Sequence, residues 1–341
     1  MEVVVNKSIV FAGNIIVDSV KTLTTWPEVG MLATITDMKR SVGGSVSNTA
    51  IDLKTLDPSV RVSALGKVGA DDNGDYALRF IASKGVDCGG VTRVEGVPTT
   101  FTDVMSVAKT GERTFFNMHG ADSRFTPDDV DVASLNCDIF HLGYLLLMDG
   151  LDAADGDYGT KAARLLAKVQ AAGIKTSVDI VSEQSERFAR IVRPSLRYCD
   201  YLVVNEIEGA LATGISCKGA DGKVSVDALG RIAEALFALG VKEKVVLHCP
   251  ETSLCREADG TVTVVSSLQL PEGWIKGSVG AGDAFCAGML YSFLAGLPAE
   301  RGLRLASCAA AANLAAPDSV SGALPLAETL ALDARFPRRS V

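Results

Sequence analysis

Short apolar stretches alternate along the chain with longer stretches in which apolar residues recur every three or four positions. The short stretches predict buried β-strands, and the periodic ones predict amphipathic helices. Strands are expected at 8–13, 62–68, 137–142, 175–180, 201–205 and 244–248. Helices are expected at 46–56, 75–84, 159–172, 226–239, 282–295 and 299–315. This order indicates an α/β fold with a mostly parallel sheet and helices on both faces.

Two segments interrupt the alternation, at 21–40 and 91–117. Both are rich in Thr and Val, with turn residues between the apolar positions. Within the second, residues 99–107 and 113–117 flank a polar turn and predict a β-hairpin. We expect these segments to form a small second sheet, inserted between the first α/β units. The chain is therefore predicted to be a single domain over 1–341 with a β insertion.

The composition fits a folded α/β protein and excludes several other classes. Of the 341 residues, 48% are hydrophobic and 22% are charged, which is typical of a globular protein. The formal net charge of −8 leaves no broad basic surface for nucleic acid. No basic and apolar leader precedes the first strand, and no apolar run is long enough to span a bilayer. We expect a cytoplasmic protein that binds neither nucleic acid nor membrane.

The eight cysteines and three histidines do not follow the spacing of a metal site. None of the cysteines forms a C-x-x-C pair, and several lie in apolar runs, where a free thiol behaves as a small hydrophobic group. Reduced thiols are expected in a cytoplasmic chain of this size. The histidines are far apart in sequence, and we expect His141 and His248 to be buried or strand-end residues. A zinc site is not predicted.

The strongest candidate for chemistry is the Gly-Ala-Gly-Asp stretch that opens the helix predicted after residue 280. Small residues at Gly280, Ala281 and Gly282 let backbone N–H groups approach an anion, and the helix N-terminus adds partial positive charge. Such an arrangement can bind phosphate. Asp283 beside a phosphate makes chemical sense as the base that takes a proton from an attacking hydroxyl. The alternative is a tight loop followed by a capping Asp.

Two polar segments near the start of the chain could bind a polyol. Gly43 and Gly44 precede a helix whose first turn carries Asn48 and two serines. Hydrogen-bonding groups at such a helix start suit sugar hydroxyls, although a turn followed by a capped helix is the simpler interpretation. Asn14 and Asp18 follow the first strand, where they either contact substrate hydroxyls or form a polar loop.

Asn205 and Glu208 directly follow another predicted strand. Parallel sheets bind ligands beyond the carboxyl ends of their strands, and residues three apart share one face of a starting helix. The pair could therefore hold Mg²⁺ through water, and the alternative is a solvated helix start. The chain has neither a Walker loop nor an early dinucleotide fingerprint, so any use of ATP would need a different site.

In this order the motifs resemble those of the ribokinase-like (PfkB) carbohydrate kinase family. The stretch 279–285 is similar to the C-terminal signature of the family, the glycine pair with Asn48 to its di-glycine motif, and 205–208 to its N-x-x-E motif. The stretch 11–18 resembles the first strand with its sugar-contacting Asp, and 111–122 resembles the lid hairpin and the segment after it. The resemblance covers nearly the whole chain.

The resemblance implies a doubly wound sheet with a small β lid, and transfer of the ATP γ-phosphate to a hydroxyl of a small sugar-like substrate. Asp283 would be the general base, and the backbone of the three residues before it would stabilise the transferring phosphoryl group. Residues implied to bind the nucleotide are Asn205, Ser278, Gly280 and Gly282. Asn205 and Glu208 would organise Mg²⁺ through water. Residues implied to hold substrate hydroxyls are Asn14, Asp18, Gly43, Gly44 and Asn48.

The resemblance also implies closure of the lid, which would exclude water and suppress ATP hydrolysis. Lids in this family often pair across a homodimer. Family members commonly carry Asp-Thr before the Gly-Ala-Gly-Asp stretch, where this chain has Gly277 and Ser278. Since that Asp helps to bind a monovalent cation in many relatives, this departure weakens the expectation of potassium.

The substrate and the activity leave alternatives open at the level of sequence. The stretch 248–251 replaces a Gly-rich turn, and 180–183 lacks the Asn and Arg of fructokinase-like and ketodeoxygluconate-kinase-like members. A sugar, a sugar phosphate and a nucleoside all stay open as substrates. An inactive ligand-binding relative is a further alternative, although the presence of Asp283 argues against it. A Rossmann oxidoreductase is disfavoured by the missing G-x-G-x-x-G.

Overall fold

The computed structural model describes residues 7–110, 112–183, 185–219 and 222–340. Its strands are β1 (Ser8–Gly13), β2 (Ile16–Leu23), β3 (Ile35–Gly43), β4 (Arg61–Gly69), β5 (Asp87–Val94), β6 (Phe101–Val107), β7 (Arg113–Met118), β8 (Ile139–Leu145), β9 (Ala154–Asp155), β10 (Gly159–Thr160), β11 (Lys175–Ile180), β12 (Tyr201–Asn205), β13 (Lys244–His248), β14 (Thr252–Glu257) and β15 (Val262–Ser266). Its helices are α1 (Ser45–Leu56), α2 (Asp72–Ser83), α3 (Asp149–Asp152), α4 (Lys161–Ala171), α5 (Phe188–Leu196), α6 (Glu206–Thr213), α7 (Val226–Ala238), α8 (Ala281–Leu294), α9 (Ala299–Asn313) and α10 (Leu326–Arg335). Short 3₁₀ turns at Ala121–Arg124, Pro127–Asp129 and Val132–Ser134 lie between β7 and β8.

Among the described residues, nine strands form one sheet in the order β15-β14-β13-β12-β11-β8-β1-β4-β5. Neighbours run parallel, except that β14 pairs antiparallel with both β13 and β15. Alternate side chains of β1 enter opposite cores. Ile9 and Phe11 pack with α1, α8 and α9, whereas Val10 and Ala12 pack with α4, α5 and α7. Helices thus cover both faces, and the predicted mostly parallel sheet is confirmed.

The apolar pattern located most of the elements, with ends shifted by a few residues. The strands predicted at 175–180, 201–205 and 244–248 have the predicted bounds as β11, β12 and β13. The hairpin of β14 and β15 was not predicted, nor were α5 and α10. In α5 the buried residues Phe188, Ile191, Val192 and Leu196 follow helical spacing, but the helix has only nine residues and contains Pro194, a residue that disfavours a helix.

The strand order reverses at β1, which lies between β4 and β8. From β1 the chain builds β4 and β5 on one side, and it later returns to build β8 and β11 to β13 on the other. In open α/β sheets the ligand crevice lies at such a reversal, outside the carboxyl ends of the strands. Asn14 follows β1 at this point, and Tyr144 lies at the end of β8.

A second sheet of the described residues has the order β3-β2-β6-β7. Strand β2 pairs antiparallel with β3 and parallel with β6, and β6 and β7 form the predicted hairpin. The sheet overlaps the predicted insertions at 21–40 and 91–117, but it begins earlier, at Ile16. Residues Asp87–Val94 belong to the large sheet instead, as its edge strand β5. Residue 111, in the predicted hairpin turn, lies outside the described residues.

All eight cysteines are free thiols, and six of them are buried. Their burial fits the expectation that they pack as small hydrophobic groups. None of the described helices is both long and apolar enough to cross a lipid bilayer.

Candidate active site

The start of α8 depends on glycine at position 280. Gly280 precedes the helix with φ of 81°, and a Cβ there would come within 2.4 Å of the Ser319 carbonyl oxygen. Only glycine fits both the left-handed backbone and this close contact. The helix then begins at Ala281, and the N–H groups of its first turn lack intrahelical acceptors. Gly282 is exposed there, and its nearest neighbour in the direction of a Cβ is His248 at 3.8 Å.

Asp283, in the first turn of α8, is buried and held by three hydrogen-bond donors. The Asn48 Nδ2 donates to its Oδ2 at 3.0 Å, and the Thr49 hydroxyl donates to its Oδ1 at 3.2 Å. The Tyr144 hydroxyl also donates to Oδ1. Burial and the negative charge of Asp283 raise the pKa of Tyr144, so its hydroxyl stays protonated as a donor. The three donors come from α1 and β8, which tie the carboxylate to the sheet.

The close approach of α1 to this carboxylate depends on the glycine pair before it. Gly44 has φ of 87°, and a Cβ on it would lie 2.6 Å from the Asn14 carbonyl oxygen. A Cβ on Gly43 would lie 2.6 Å from the Asp18 carboxylate. Both glycines therefore let the start of α1 pack directly against the segment after β1. This is a packing role, and the structure leaves their predicted contact with substrate untested.

A second buried carboxylate, Asp179 at the end of β11, lies close to Asp283. Burial raises the pKa of Asp179, and the charges of Asp283 and Glu208 raise it further. Burial also raises the pKa of Asp283, but hydrogen bonds from Tyr144, Asn48 and Thr49 oppose that rise. The Asp179 carboxylate receives the Ile180 N–H at 2.8 Å. Since Asp283 accepts hydrogen bonds from three side chains, the pKa of Asp179 is the more strongly raised of the two.

Asn205 and Glu208 form a capping box at the start of α6. The Asn205 Oδ1 accepts the N–H groups of Ile207 and Glu208 at 2.9 and 2.8 Å, and Glu208 Oε2 accepts the Asn205 N–H at 3.0 Å. The Ser182 hydroxyl donates to Glu208 Oε1 at 2.7 Å. Burial raises the pKa of Glu208 to about 7. The helix-start interpretation of this motif therefore holds, and Glu208 keeps lone pairs that no donor uses.

These groups meet at a cavity of about 250 Å³ at the carboxyl ends of β8, β11, β12 and β13. The residues that line it include Asp283, Gly282, Asp179, Glu208 and Asn205. His248, Tyr144 and Cys286 also line it. The His248 ring stacks on Phe285 with 4.5 Å between centroids, and burial lowers its pKa to about 4. The imidazole is therefore neutral at physiological pH.

A larger cavity of about 430 Å³ lies between the small sheet and the loop before α8. Asp18 and Lys39 line it from the small sheet, and Val279 and Ser319 line it from the opposite side. Burial raises the pKa of Asp18 to about 6, against the effect of a hydrogen bond from Thr102. Asp18 is the predicted substrate residue whose side chain reaches this cavity.

Two other predicted substrate residues have their polar atoms engaged within the protein. Asn14 is fully buried; its Nδ2 donates to Asp122 at 2.9 Å, and its Oδ1 accepts the Tyr144 N–H at 2.6 Å. Asn48 donates to Asp283, and its Oδ1 accepts the Ser319 hydroxyl at 2.9 Å. In this arrangement Asn14 positions Tyr144, and Asn48 positions Asp283.

The segment directly before the Gly-Ala-Gly-Asp stretch, at Gly277 and Ser278, provides no acidic side chain for a cation. A Cβ at Gly277 would lie 3.0 Å from the carbonyl oxygens of both Ala316 and Pro317. Ser278 follows in the exposed loop, and its carbonyl oxygen accepts the Ala281 N–H at 3.4 Å. The carbonyl oxygens are present, but a carboxylate is missing from this position. The sequence-based expectation that this protein binds a monovalent cation weakly, if it binds one, stays a prediction.

Sequence reasoning missed Tyr144, Asp179 and His248, which line the cavity, and Thr49, which donates to Asp283. Thr49 directly follows a predicted residue, and Asp179 ends a predicted strand, so a search of strand ends for acids would have found the latter. Tyr144 carried no motif. It lies 139 positions from Asp283 in the sequence, and the two meet because α8 packs over the sheet near the end of β8.

A comparison with known protein families identifies the family of this chain. A model of the pfkB family carbohydrate kinases matches residues 6–325. The chain belongs to this family. It is therefore a carbohydrate kinase, a phosphotransferase with an alcohol group as acceptor, and the resemblance inferred from its motifs is confirmed.

Relatives within the pfkB family agree with this assignment. The chain is 25% identical over 300 residues to a 5-dehydro-2-deoxygluconokinase of Shouchella clausii, covering 85% of this chain and 86% of the relative. It is 33% identical over 132 residues to an ATP-dependent ribose-1-phosphate kinase of Halopiger xanaduensis. That second match spans 38% of this chain and 44% of the relative, which is less than half of its length.

Solved structures confirm the doubly wound fold of this pfkB kinase. The ribokinase of Arabidopsis thaliana complexed with ribose and ATP superposes with a TM-score of 0.78 at 20% identity. The superposition covers 96% of this chain and 98% of the ribokinase. At this identity the likeness concerns the fold.

Replacing Gly280 by Ala tests whether the start of α8 is as constrained as its contacts indicate. Gly296, just after the same helix, is the matched control: its φ is 63°, and nothing lies within 4 Å of a Cβ there. Gly296→Ala should cost about 1–2 kcal/mol for left-handed backbone alone. Gly280→Ala should cost at least about 1 kcal/mol more, because the Cβ also clashes with Ser319. Denaturant unfolding measures both, and equal losses would contradict the role given to this contact.

Proposed function

We propose that this kinase transfers the γ-phosphate of ATP to a hydroxyl of a small sugar-like substrate, with Asp283 as the general base. The position of Asp283 carries the proposal. It is a buried carboxylate on the first turn of a helix, held by three donors at the wall of a cavity. The fold it shares with a ribokinase complexed with ribose and ATP adds support.

In the proposed step the substrate hydroxyl oxygen attacks the γ-phosphorus, and the bond from that phosphorus to the β,γ-bridging oxygen breaks. ADP leaves with the electron pair of that bond, and the hydroxyl proton moves to Asp283. A pKa of Asp283 raised by burial brings its basicity closer to neutral pH, which suits a group that must also release the proton. Backbone N–H groups of Gly280, Ala281 and Gly282 stabilise the charge on the transferring group.

The smaller cavity is the proposed site of the ATP phosphates, with Asn205, Ser278, Gly280 and Gly282 as nucleotide contacts. Mg²⁺ takes oxygen ligands and keeps much of its hydration shell, and the oxygen-rich lining fits it. Glu208 would hold it through water with its unused lone pairs, and Asn205 would hold Glu208 in place. The ion supplies positive charge that neutralises the phosphates.

The larger cavity beneath the small sheet is the proposed substrate site, with Asp18 as its hydroxyl acceptor. Asn14, Gly43, Gly44 and Asn48 would support this site: Gly43 packs against Asp18 and Gly44 against Asn14, and Asn48 joins Asp283 to Ser319, which lines the cavity. The small sheet would act as a lid that excludes water when substrate binds. A closed lid also strengthens each polar contact inside, because water no longer competes for it.

A sugar phosphate is the second candidate substrate, and two basic residues favour it. Lys39 and Arg40 both line the larger cavity, on strand β3 of the small sheet. Basic side chains in that position can pair with a phosphate that a substrate already carries. The similarity to a ribose-1-phosphate kinase points the same way. A nucleoside stays a third option.

Two copies of the chain are proposed to pair through their lids. Exposed large apolar side chains concentrate in the small sheet and the loop between β2 and β3, where Val29, Met31, Leu32 and Met38 are all at least two-thirds exposed. We call these four residues the lid patch. An exposed apolar patch of this kind is typical of a protein interface.

Replacing Asp283 by Asn tests the proposed base directly. ADP release is first measured for the unchanged kinase against pentoses, hexoses, sugar phosphates and nucleosides, and the best acceptor is kept. With that acceptor, Asp283→Asn should lower turnover by about 10² to 10⁴ through the loss of the base. ATP binding, measured by calorimetry, should be largely retained, since the Asn side chain has nearly the same shape.

Asp179→Asn is the matched control, because it changes a buried carboxyl of the same cavity to which the proposed mechanism assigns no proton transfer. It should keep most of the turnover. Near-normal activity of Asp283→Asn, or an equal loss in both variants, would contradict the assignment of the base. A protein that binds a sugar but releases no ADP with any acceptor would favour an inactive ligand-binding relative.

Leu32→Glu tests the proposed pairing of lids. The unchanged chain should sediment as a dimer, and a charge in the lid patch should dissociate it, because a charge buried at an interface is strongly unfavourable. Leu330→Glu is the control: Leu330 is 45% exposed on α10, away from the small sheet. A monomeric unchanged chain, or a dimer that survives Leu32→Glu, would rule out this interface.

A further inference from the structure

Three potential metal ligands from different elements meet beneath the catalytic Asp283. His141 lies in β8, Asp179 ends β11, and Cys286 lies in α8. Their ligand atoms all lie within 4.8 Å of one another, and all three residues are buried. Neither His141 nor Cys286 has a part in the phosphoryl transfer proposed above, and Asp179 serves there only as a neighbour of the base.

We propose that His141, Asp179 and Cys286 form a binding site for Zn²⁺ or a similarly soft divalent cation, distinct from the Mg²⁺ that accompanies the nucleotide. Imidazole nitrogen, thiolate sulfur and carboxylate oxygen are the ligands that zinc takes in proteins. Mg²⁺ prefers oxygen alone, so the sulfur and nitrogen select against it. Three protein ligands leave a fourth position for water.

The hydrogen bonds of His141 already orient its ring as in a metal site. Its Nε2 lies 3.3 Å from the Ser45 hydroxyl and its Nδ1 lies 3.1 Å from the Ser177 hydroxyl. One hydroxyl can turn away to free a nitrogen for the metal while the other keeps the ring in place, the usual arrangement for a metal-bound histidine. Burial lowers the pKa of His141 to about 3, so the ring is neutral and its lone pair is available.

The two acidic ligands gain from a cation because each is buried without compensating positive charge. Burial raises the pKa of the Cys286 thiol, and the charges of Asp179 and Asp283 raise it further. Burial also raises the pKa of Asp179. Zinc takes cysteine as the thiolate, so binding would release the thiol proton, and the metal would become the positive partner of both ligands.

The cavity of about 250 Å³ gives the metal a route to this site. Asp179 and Cys286 both line it, and His141 lies behind them. In a tetrahedral zinc site with bonds of about 2.0–2.3 Å, ligand atoms stand about 3.3–3.8 Å apart, so the cluster would have to contract by up to about 1.5 Å. Cys286 is one helical turn beyond Asp283, so a bound cation would weaken that base and slow turnover.

Metal binding to the full chain, freed of metals by a chelator, tests this site without any activity measurement. Titration with Zn²⁺ should show one tight site that a large excess of Mg²⁺ does not empty. Titration with Co²⁺ should produce the absorption band of a thiolate-to-cobalt bond. Calorimetry in buffers of different ionisation enthalpy should show that protons are released as zinc binds.

Cys286→Ala should abolish the cobalt–thiolate band and weaken zinc binding by more than about 100-fold, since even the loss of an outer partner costs 10- to 100-fold. Cys308→Ala, another buried cysteine on the neighbouring helix α9, is the control and should change neither. Thermal unfolding checks that both variants are folded. Zinc binding that survives Cys286→Ala, a missing cobalt–thiolate band, or displacement of zinc by Mg²⁺ would overturn the proposal.

Discussion

The site depends on how the carboxyl group of Asp283 is stabilised in a place where water reaches it poorly. An isolated carboxylate in such a site would take up a proton rather than stay ionised. Donors from Asn48, Thr49 and Tyr144 replace the lost water. The three donors come from two elements. Helix α1 must therefore approach α8 closely, and β8 must end beside them. The glycine pair before α1 and Gly280 before α8 make that approach sterically possible.

The same constraint separates the roles of the two neighbouring acids. Asp283 and Asp179 stand in one cavity, but their hydrogen-bond environments differ. Environments that push the pKa values of neighbouring groups apart are how an active site assigns an acid and a base. In the proposed mechanism this difference suits Asp283 to the role of base, because the pKa of Asp179 is the more strongly raised of the two. It also leaves Asp179, with His141 and Cys286, able to accept a cation in exchange for protons.

Much of this arrangement could be predicted from the sequence, because local patterns encode it. The strands that end at Asn205 and His248 were located by their apolar runs, and the Gly-Ala-Gly-Asp stretch by its small residues at a helix start. The partners of Asp283 could not be found in this way. Tyr144 has no local motif, and its meeting with Asp283 requires the order of strands in the sheet. The same is true of His141, Asp179 and Cys286, whose spacing in sequence gave no indication of a metal site.

Local patterns also left ambiguous what each polar residue does. Asn14 and Asn48 were predicted to hold substrate, which stays a prediction, and their amide groups are engaged with Asp122, Tyr144, Asp283 and Ser319. Asn205 was predicted to organise Mg²⁺, and its side-chain oxygen caps α6. In each case the motif marks a residue that fixes the position of a neighbour, a distinction that depends on which donors and acceptors meet in three dimensions.

The most direct test of this account is the charge of each carboxyl in the buried pair. Carbon-13 NMR of the labelled aspartate carboxyls, assigned with Asp283→Asn and Asp179→Asn, measures both titrations in the intact chain. Asp283 should lose its proton at lower pH than Asp179 and be ionised at neutral pH, while Asp179 should stay protonated there. The reverse order, with Asp179 ionised and Asp283 protonated at neutral pH, would contradict the assignment of Asp283 as the base.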